Sequence, residues 1–380
     1  MHPLKAQLLR RAGVVLRPPP QTRLDERSYW RDTSDASIYK LRHTDCVLKI
    51  IVPTCVLRCA DDEGTLVDRE IRDCGDDDDD CDGGAAARCV HAKCMAVTAG
   101  EVRMSNALNE VLVHALVSRM SHLTPHVLAS ECYYVVESGK GYIFMERYPC
   151  TLGMFDPPTA WWTVPNACAL LFQVLHALHV AGQGLQLKHH DLHYNNVGIQ
   201  SMHASTTFNG QRLSQCTHLK YTVGEEEFYL PNTGYLPKLA DFGMASVTLG
   251  AERRAYRGDL RLFSEDRLGK FDEVFHGQRG YDMQTFLSGH VCPKMHAACT
   301  RWAALHRLYT QLCEVVHMGK LRNLRPKVAS DVTPGEALRS RVFAMFRCVP
   351  VGEGVRVADC GGSPAALDAF AAEVKELTVL

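Results

Sequence analysis

Apolar residues fall into short strand-like runs early in the chain, one long helical run in the middle and alternating stretches later. Residues 46–52 (CVLKIIV) are apolar apart from Lys49, which predicts a buried strand carrying one ammonium. That ammonium requires a partner or a ligand, because a lone buried charge is costly. In residues 106–120 (NALNEVLVHALVSRM), Leu108, Val111, Leu112, Ala115 and Leu116 recur at helical spacing, and Ser105 is placed to cap the helix. Glu110 lies beside that stripe and can turn inward toward Lys49. Taken alone, such a glutamate is more often a solvated surface residue. Residues 141–148 (GYIFMERY) read as another strand, ending in a charged corner. Residues 167–181 (ACALLFQVLHALHVA) are apolar on nearly every side and predict a buried helix. Residues 220–223 (KYTV) and 228–230 (FYL) alternate about a Gly-Glu turn, the pattern of a β-hairpin. There is no sustained heptad pattern and no internal repeat.

Two polar strings carry the candidate chemistry. Residues 188–198 (KHHDLHYNNVG) place Asp191 five positions before Asn196, with His189 two before the aspartate. Residues 239–245 (LADFGMA) hold the triplet Asp241-Phe242-Gly243. Phosphoryl transfer needs a carboxylate to orient an attacking hydroxyl and hard oxygen ligands to hold Mg²⁺ against phosphates. One short loop can supply Asp191 and Asn196, and a second can supply Asp241.

Both strings in this order, behind the Lys49 strand and the Glu110 helix, resemble the protein kinases of the eukaryotic type. The resemblance covers roughly residues 30–300. It implies ATP and Mg²⁺ as cofactors. Lys49 would grip the α- and β-phosphates, fixed by Glu110. Met145 would border the adenine, and the backbone of Glu146 to Tyr148 would hydrogen-bond the base. Asp191 would take or orient the substrate hydroxyl proton, and Asn196 and Asp241 would hold the metals. His189, Phe242 and Gly243 would support the loops. Asp282, in residues 280–287 (GYDMQTFL), would bond the backbone of the Asp191 loop.

The implied fold is α+β and bilobal. A flexible basic arm over 1–23 precedes a small antiparallel-sheet lobe with one helix over 24–147, interrupted by a disordered acidic insert at about 60–100. A larger, mainly helical lobe follows over 148–380, with an inserted hairpin at about 201–237. The string YLPNTGYLPKLADFG is similar to divergent Ser/Thr kinases of large cytoplasmic DNA viruses of the iridovirus type. That likeness implies a protein substrate phosphorylated on Ser or Thr, and a place in a host cytoplasm or a virion.

Departures from the kinase pattern narrow these expectations. No glycine-rich loop is present; residues 34–40 read SDASIYK, which leaves backbone approach to phosphate less free. His190 stands where the pattern has an arginine that pairs with a phosphorylated loop, so control of that kind is not expected. His193 stands where it has a lysine. It can still reach the γ-phosphate, with a charge that varies with pH.

Composition adds little that conflicts. A chain of 380 residues suffices for a two-lobed domain, and a net charge of −1 points to neither a nucleic-acid binder nor a membrane-surface protein. Residues 61–82 carry twelve acids and two arginines, too charged to pack, which predicts a solvated spacer between Lys49 and Glu110. Neither a signal peptide nor a membrane-crossing run is expected, and sixteen scattered cysteines suggest reduced thiols inside a cell. Two Cys/His sets, Cys74, Cys81, Cys89, His91 and Cys94, and His290, Cys292, His296 and Cys299, are weaker zinc candidates than packing or surface residues. Three rival readings stand beside the kinase: a pseudokinase scaffold, a small-molecule phosphotransferase of the aminoglycoside- or choline-kinase type, and a structural virion component.

Overall fold

The apolar run around Lys49 forms the central strand of an antiparallel five-strand sheet in the computed structural model. The strands are ordered Arg27–Asp32, Ala36–Leu41, Cys46–Ile51, Gly141–Glu146 and Ser130–Tyr134. Lys49 is paired with Ile38 on one side and Ile143 on the other, so its backbone is fixed from both edges. The structure describes residues 3–32, 36–42, 44–51, 55–60, 66–71, 97–98, 101–250, 254–258, 280–288, 303–315 and 330–377.

Alternation gives the sheet two apolar faces. Val47, Ile51, Ile143 and Met145 join the main core, which includes the helix Asn106–Ser118. Leu41, Leu48, Tyr133 and Phe144 form a smaller cluster on the other side, packed by Val15 and Leu24. The predicted helix is capped as its sequence implies: Ser105 Oγ accepts from Leu108 N at 3.3 Å. It is buried on more than the expected stripe, with Asn109, Glu110 and His114 each 0–1% exposed.

Within the span expected to be a flexible basic arm, residues 8–15 pack against the rest of the protein. Pro3–Arg11 is a helix, Leu8, Leu9, Ala12 and Val14 are buried, and Val15 forms a parallel bridge to Tyr133. The basic residues Arg10 and Arg11 lie in the last helical turn, where the helix dipole favours cations. Val15 also exchanges backbone hydrogen bonds with Cys132 and Tyr134, covering the outer edge of the sheet. The charge pattern concealed an apolar face that has a place to dock.

Later residues are mixed, where a mainly helical region was expected. The helix Val164–Leu185 runs through the core, packed by the helices Pro334–Leu338 and Pro364–Lys375 and by strands of small sheets. Cys150–Thr151, Val197–Ser201 and Tyr235–Leu239 form one of them. His218–Val223 pairs with Glu226–Pro231 in a hairpin, and Val357–Asp359 adds to it in parallel. Tyr221 and Phe228 are fully buried against Phe172 of the central helix, so the hairpin belongs to the core. The molecule is thus a mixed α+β protein with an N-terminal antiparallel sheet followed by helices and small sheets.

By length and composition alone Val164–Leu185 is apolar enough to cross a membrane, contrary to the sequence expectation. Within the protein, 83% of that window is buried. Much of the predicted disordered insert lies outside the described residues. Within its span, Leu66–Ile71 is a strand paired with Cys55–Ala60, and Val97–Thr98 pairs with Glu101–Met104. Both candidate zinc sets also lie outside the described residues.

Candidate functional site

The central strand, the capped helix and the Asp-Phe-Gly loop meet at one ammonium. Lys49 Nζ lies 2.6 Å from Glu110 Oε1 and 3.0 Å from Asp241 Oδ1. Lys49 and Glu110 are both buried, while the Asp241 side chain is half-exposed at 48%. A buried ammonium satisfied by two carboxylates holds three chain segments together. Lys49, followed by the bond it makes, holds the Asp241 carboxyl down to about 2, so Asp241 is ionised at any ordinary pH.

The Asp191 loop is fixed from behind. Asp282, at the start of the helix Tyr281–Ser288, accepts from His189 N at 2.6 Å and His190 N at 2.8 Å. Burial pushes the Asp282 carboxyl up, and His189 and the two N–H bonds pull against that. His190 itself is left-handed at φ +63°, and its Nε2 meets Ser246 Oγ at 2.8 Å. Asp241 is the other non-glycine residue in these two loops with such a backbone, at φ +62°. L side chains rarely adopt that conformation, and it persists where surrounding bonds enforce it.

At the front of the loop, Asn196 Nδ2 donates to Asp191 O at 2.8 Å and to Asp191 Oδ2 at 3.3 Å. With the amide NH₂ committed, the carbonyl oxygen of Asn196 is the atom left to face a cation. His193 Nδ1 accepts from Asn195 N at 3.1 Å, and its Nε2 lies 3.7 Å from Asp191 Oδ2. A neutral ring accepting at Nδ1 carries its proton on Nε2. His193 Nε2 thus faces Asp191 from beyond direct hydrogen-bond distance.

Phe242 is fully buried between two rings: His114 stands edge-on at 4.9 Å and His189 is tilted at 5.3 Å. His189 Nε2 bonds Ala240 O at 2.9 Å, and Gly243 O accepts from Asn109 Nδ2 at 3.5 Å. Two groups result, Lys49–Glu110–Asp241 and Asp191–Asn196–His193, with Asp282 behind the second; the loops that carry them are linked by Ala240 N donating to Asn196 O at 3.0 Å and by the His189 Nε2 bond to Ala240 O.

Glu146 and Tyr148 stand apart from it. Glu146 N donates to Ala129 O at 3.2 Å, and its carboxylate accepts from Lys238 Nζ at 2.9 Å and from Gln200 Nε2. The pair ties the end of the Gly141–Glu146 strand to the strand that runs into Asp241. The Tyr148 ring lies flat on Gly198, where a Cβ would meet its Cγ at 2.6 Å.

Sequence reasoning missed several supports. Asn109 Nδ2 bonds Ala245 O at 2.8 Å, anchoring the Glu110 helix to the segment after Gly243. Lys238, 7% exposed, is another such support through its bond to Glu146. His114 sits 3.7 Å from Glu110 on the same helix, and its i,i+4 spacing from that glutamate was the available signal. Burial, with Lys49 next in effect, pushes its pKa down to about 3, so the ring is neutral.

Among the described residues no group of three or more His, Cys, Asp or Glu side chains converges on a metal position. Mg²⁺ bound through one or two protein oxygens together with substrate phosphates does not require such a group. Compared with known proteins, the chain matches no family model and no curated protein.

Proposed function

We propose that this chain is an ATP- and Mg²⁺-dependent protein kinase that phosphorylates Ser or Thr hydroxyls. The observation that carries the reading is the Lys49–Glu110–Asp241 contact, whose loop is tied to the Asp191–Asn196 loop by the Ala240 N bond to Asn196 O and the His189 bond to Ala240 O. In this reading the five-strand sheet with the Glu110 helix is the small lobe, and the later helices and sheets form the large one.

The donor set suits the cofactor. Asp241 is an ionised carboxylate open to solvent, and Asn196 keeps a free-facing carbonyl oxygen; both are hard ligands of the kind Mg²⁺ prefers. Bound ATP supplies a phosphoryl group with a nucleotide leaving group. Lys49 neutralises phosphate charge, and Glu110 holds it in place. Asp191 orients the acceptor hydroxyl and takes its proton as the new oxygen–phosphorus bond forms. His193 accepts from Asn195 N and stands beside that carboxylate. Asp282 keeps the loop's backbone in register, and buried Phe242 fixes the turn that presents Asp241.

Binding tests this reading separately from turnover. Mg-ATP should raise the melting temperature of the full chain, and Asp241→Asn should remove the Mg²⁺-dependent part of that rise. A parent protein whose melting temperature ignores saturating Mg-ATP would contradict the assignment.

A further inference from the structure

Ser246, five residues after Asp241, commits all three of its polar groups to the segment that enters the Asp191 loop. Its N–H donates to Lys188 O at 2.8 Å, its carbonyl accepts from Lys188 N at 2.9 Å, and its Oγ meets His190 Nε2 at 2.8 Å. His190 is the residue before Asp191. It is 8% exposed and left-handed at φ +63°, with its own N–H bonded to Asp282. Its ring faces Tyr281 at a centroid distance of 6.2 Å.

The same segment reaches the other half of the site. Ala245 O accepts at 2.8 Å from Nδ2 of Asn109, the residue before Glu110. Ser246–Leu249 pairs antiparallel with Arg254–Gly258. Arg254–Gly258 pairs in turn, parallel, with Glu101–Met104, and Gly258 lies opposite Met104. Met104 directly precedes Ser105, the cap of the Glu110 helix. Residues 245–249 and 254–258 thus tie the start of that helix to the residue beside Asp191. Every one of these ties is a hydrogen bond that the unmodified chain makes. A phosphate orders a segment by docking on cationic side chains. Here the ring nitrogen of His190 that faces the segment is already bonded to Ser246.

We infer that Ser246 and His190 are a positioning pair for phosphoryl transfer. Their bond, with the sheet it leads into, holds the Asp191 loop and the Glu110 helix in working register with no phosphate on the segment after Asp241. The inference rests on the kinase reading. The pair acts through Asp191, the neighbour of His190, whose carboxylate must meet the acceptor hydroxyl in a geometry where small misplacements are costly.

The test uses the full chain, phosphatase-treated and shown by mass spectrometry to carry no phosphate, with radiolabelled ATP, Mg²⁺ and a generic protein acceptor. The dephosphorylated parent should transfer label at its full rate from the start, without a lag. This measurement needs no variant, so it decides even where a substitution unfolds the chain. Ser246→Ala should lower kcat by about 10-fold, and so should His190→Phe, which keeps a ring against Tyr281. The double variant should lose no more than either single one, and Ser246→Thr should restore most of the rate. The rise in melting temperature caused by Mg-ATP should survive in all four, because Lys49, Asp241 and Asn196 are untouched. Losses that multiply in the double variant, a Ser246→Ala protein as fast as the parent, or a dephosphorylated parent that gains speed only after preincubation with ATP overturns the pair and leaves the kinase reading standing. A folded parent that labels neither the acceptor nor itself overturns both.

Discussion

Mild acid should destabilise this protein well before its carboxylates titrate. His114, His126, His176 and His179 are buried, at 1%, 0%, 0% and 9% exposure. Burial pushes His114 and His126 down to about 3, His179 to about 4, and His176 well below its ordinary value. An unfolded histidine titrates near 6.5, so below that pH the unfolded chain binds protons that the folded chain refuses. Stability is therefore complete above about pH 6.5 and is lost as pH falls toward the folded values. At pH 5 His114, His126 and His179 have each withdrawn about 2 kcal/mol, together about 6 kcal/mol, and His176 acts in the same direction. That is comparable with a typical total stability of roughly 5–15 kcal/mol. Asp241 acts only below about pH 4, outside this window, and Asp282, raised by burial, offsets only part of the loss. Thermal melts at constant ionic strength should lose about 10–15 °C between pH 7 and pH 5. His114→Leu should make the dependence shallower, because neither ring nitrogen of His114 has a hydrogen-bond partner. A melting temperature that stays constant over this range would show that these rings accept protons in the folded state.

Other perturbations follow from the same contacts. Lys49→Met strands the buried Glu110 carboxylate and should cost about 3–5 kcal/mol in denaturant unfolding, with much of that regained in the Lys49→Met/Glu110→Leu double variant. Asp282→Ala leaves the His189 and His190 N–H groups without their acceptor; unfolding should cost about 2–4 kcal/mol and turnover should fall as the Asp191 loop shifts. His193→Ala should lower turnover, because its Nδ1 accepts from Asn195 N and braces the loop beside Asp191; unchanged turnover in a folded variant would show that the ring does not support the loop.

Short-range patterns were legible where neighbours in sequence decide the outcome. The Lys49 strand, the Ser105 cap, the central helix and the alternating hairpin each follow from spacing and residue type. Glu110 could be placed inward because the stripe beside it fixed the helix's orientation. Features that depend on distant partners were not legible. Basic charge in residues 1–23 suggested a free arm, while Leu8 and Leu9 find their pocket only once the sheet edge and the helix end exist. The 218–231 hairpin showed its alternation but not that its apolar face completes the core against Phe172, nor that Val357–Asp359 would pair with it. Within the site, the strings named the polar groups. His114, Asn109 and Lys238 stayed hidden because each works through a partner far away in sequence.

Transfer of label from [γ-³²P]ATP is the most direct test of the central claim. The parent, with Mg²⁺, should label itself or a generic protein. Asp191→Asn should lower that rate by about 10²- to 10⁴-fold, the contribution of a positioned base, with little change in ATP affinity. Equal rates in parent and variant, or a folded parent that transfers no label, would contradict the account.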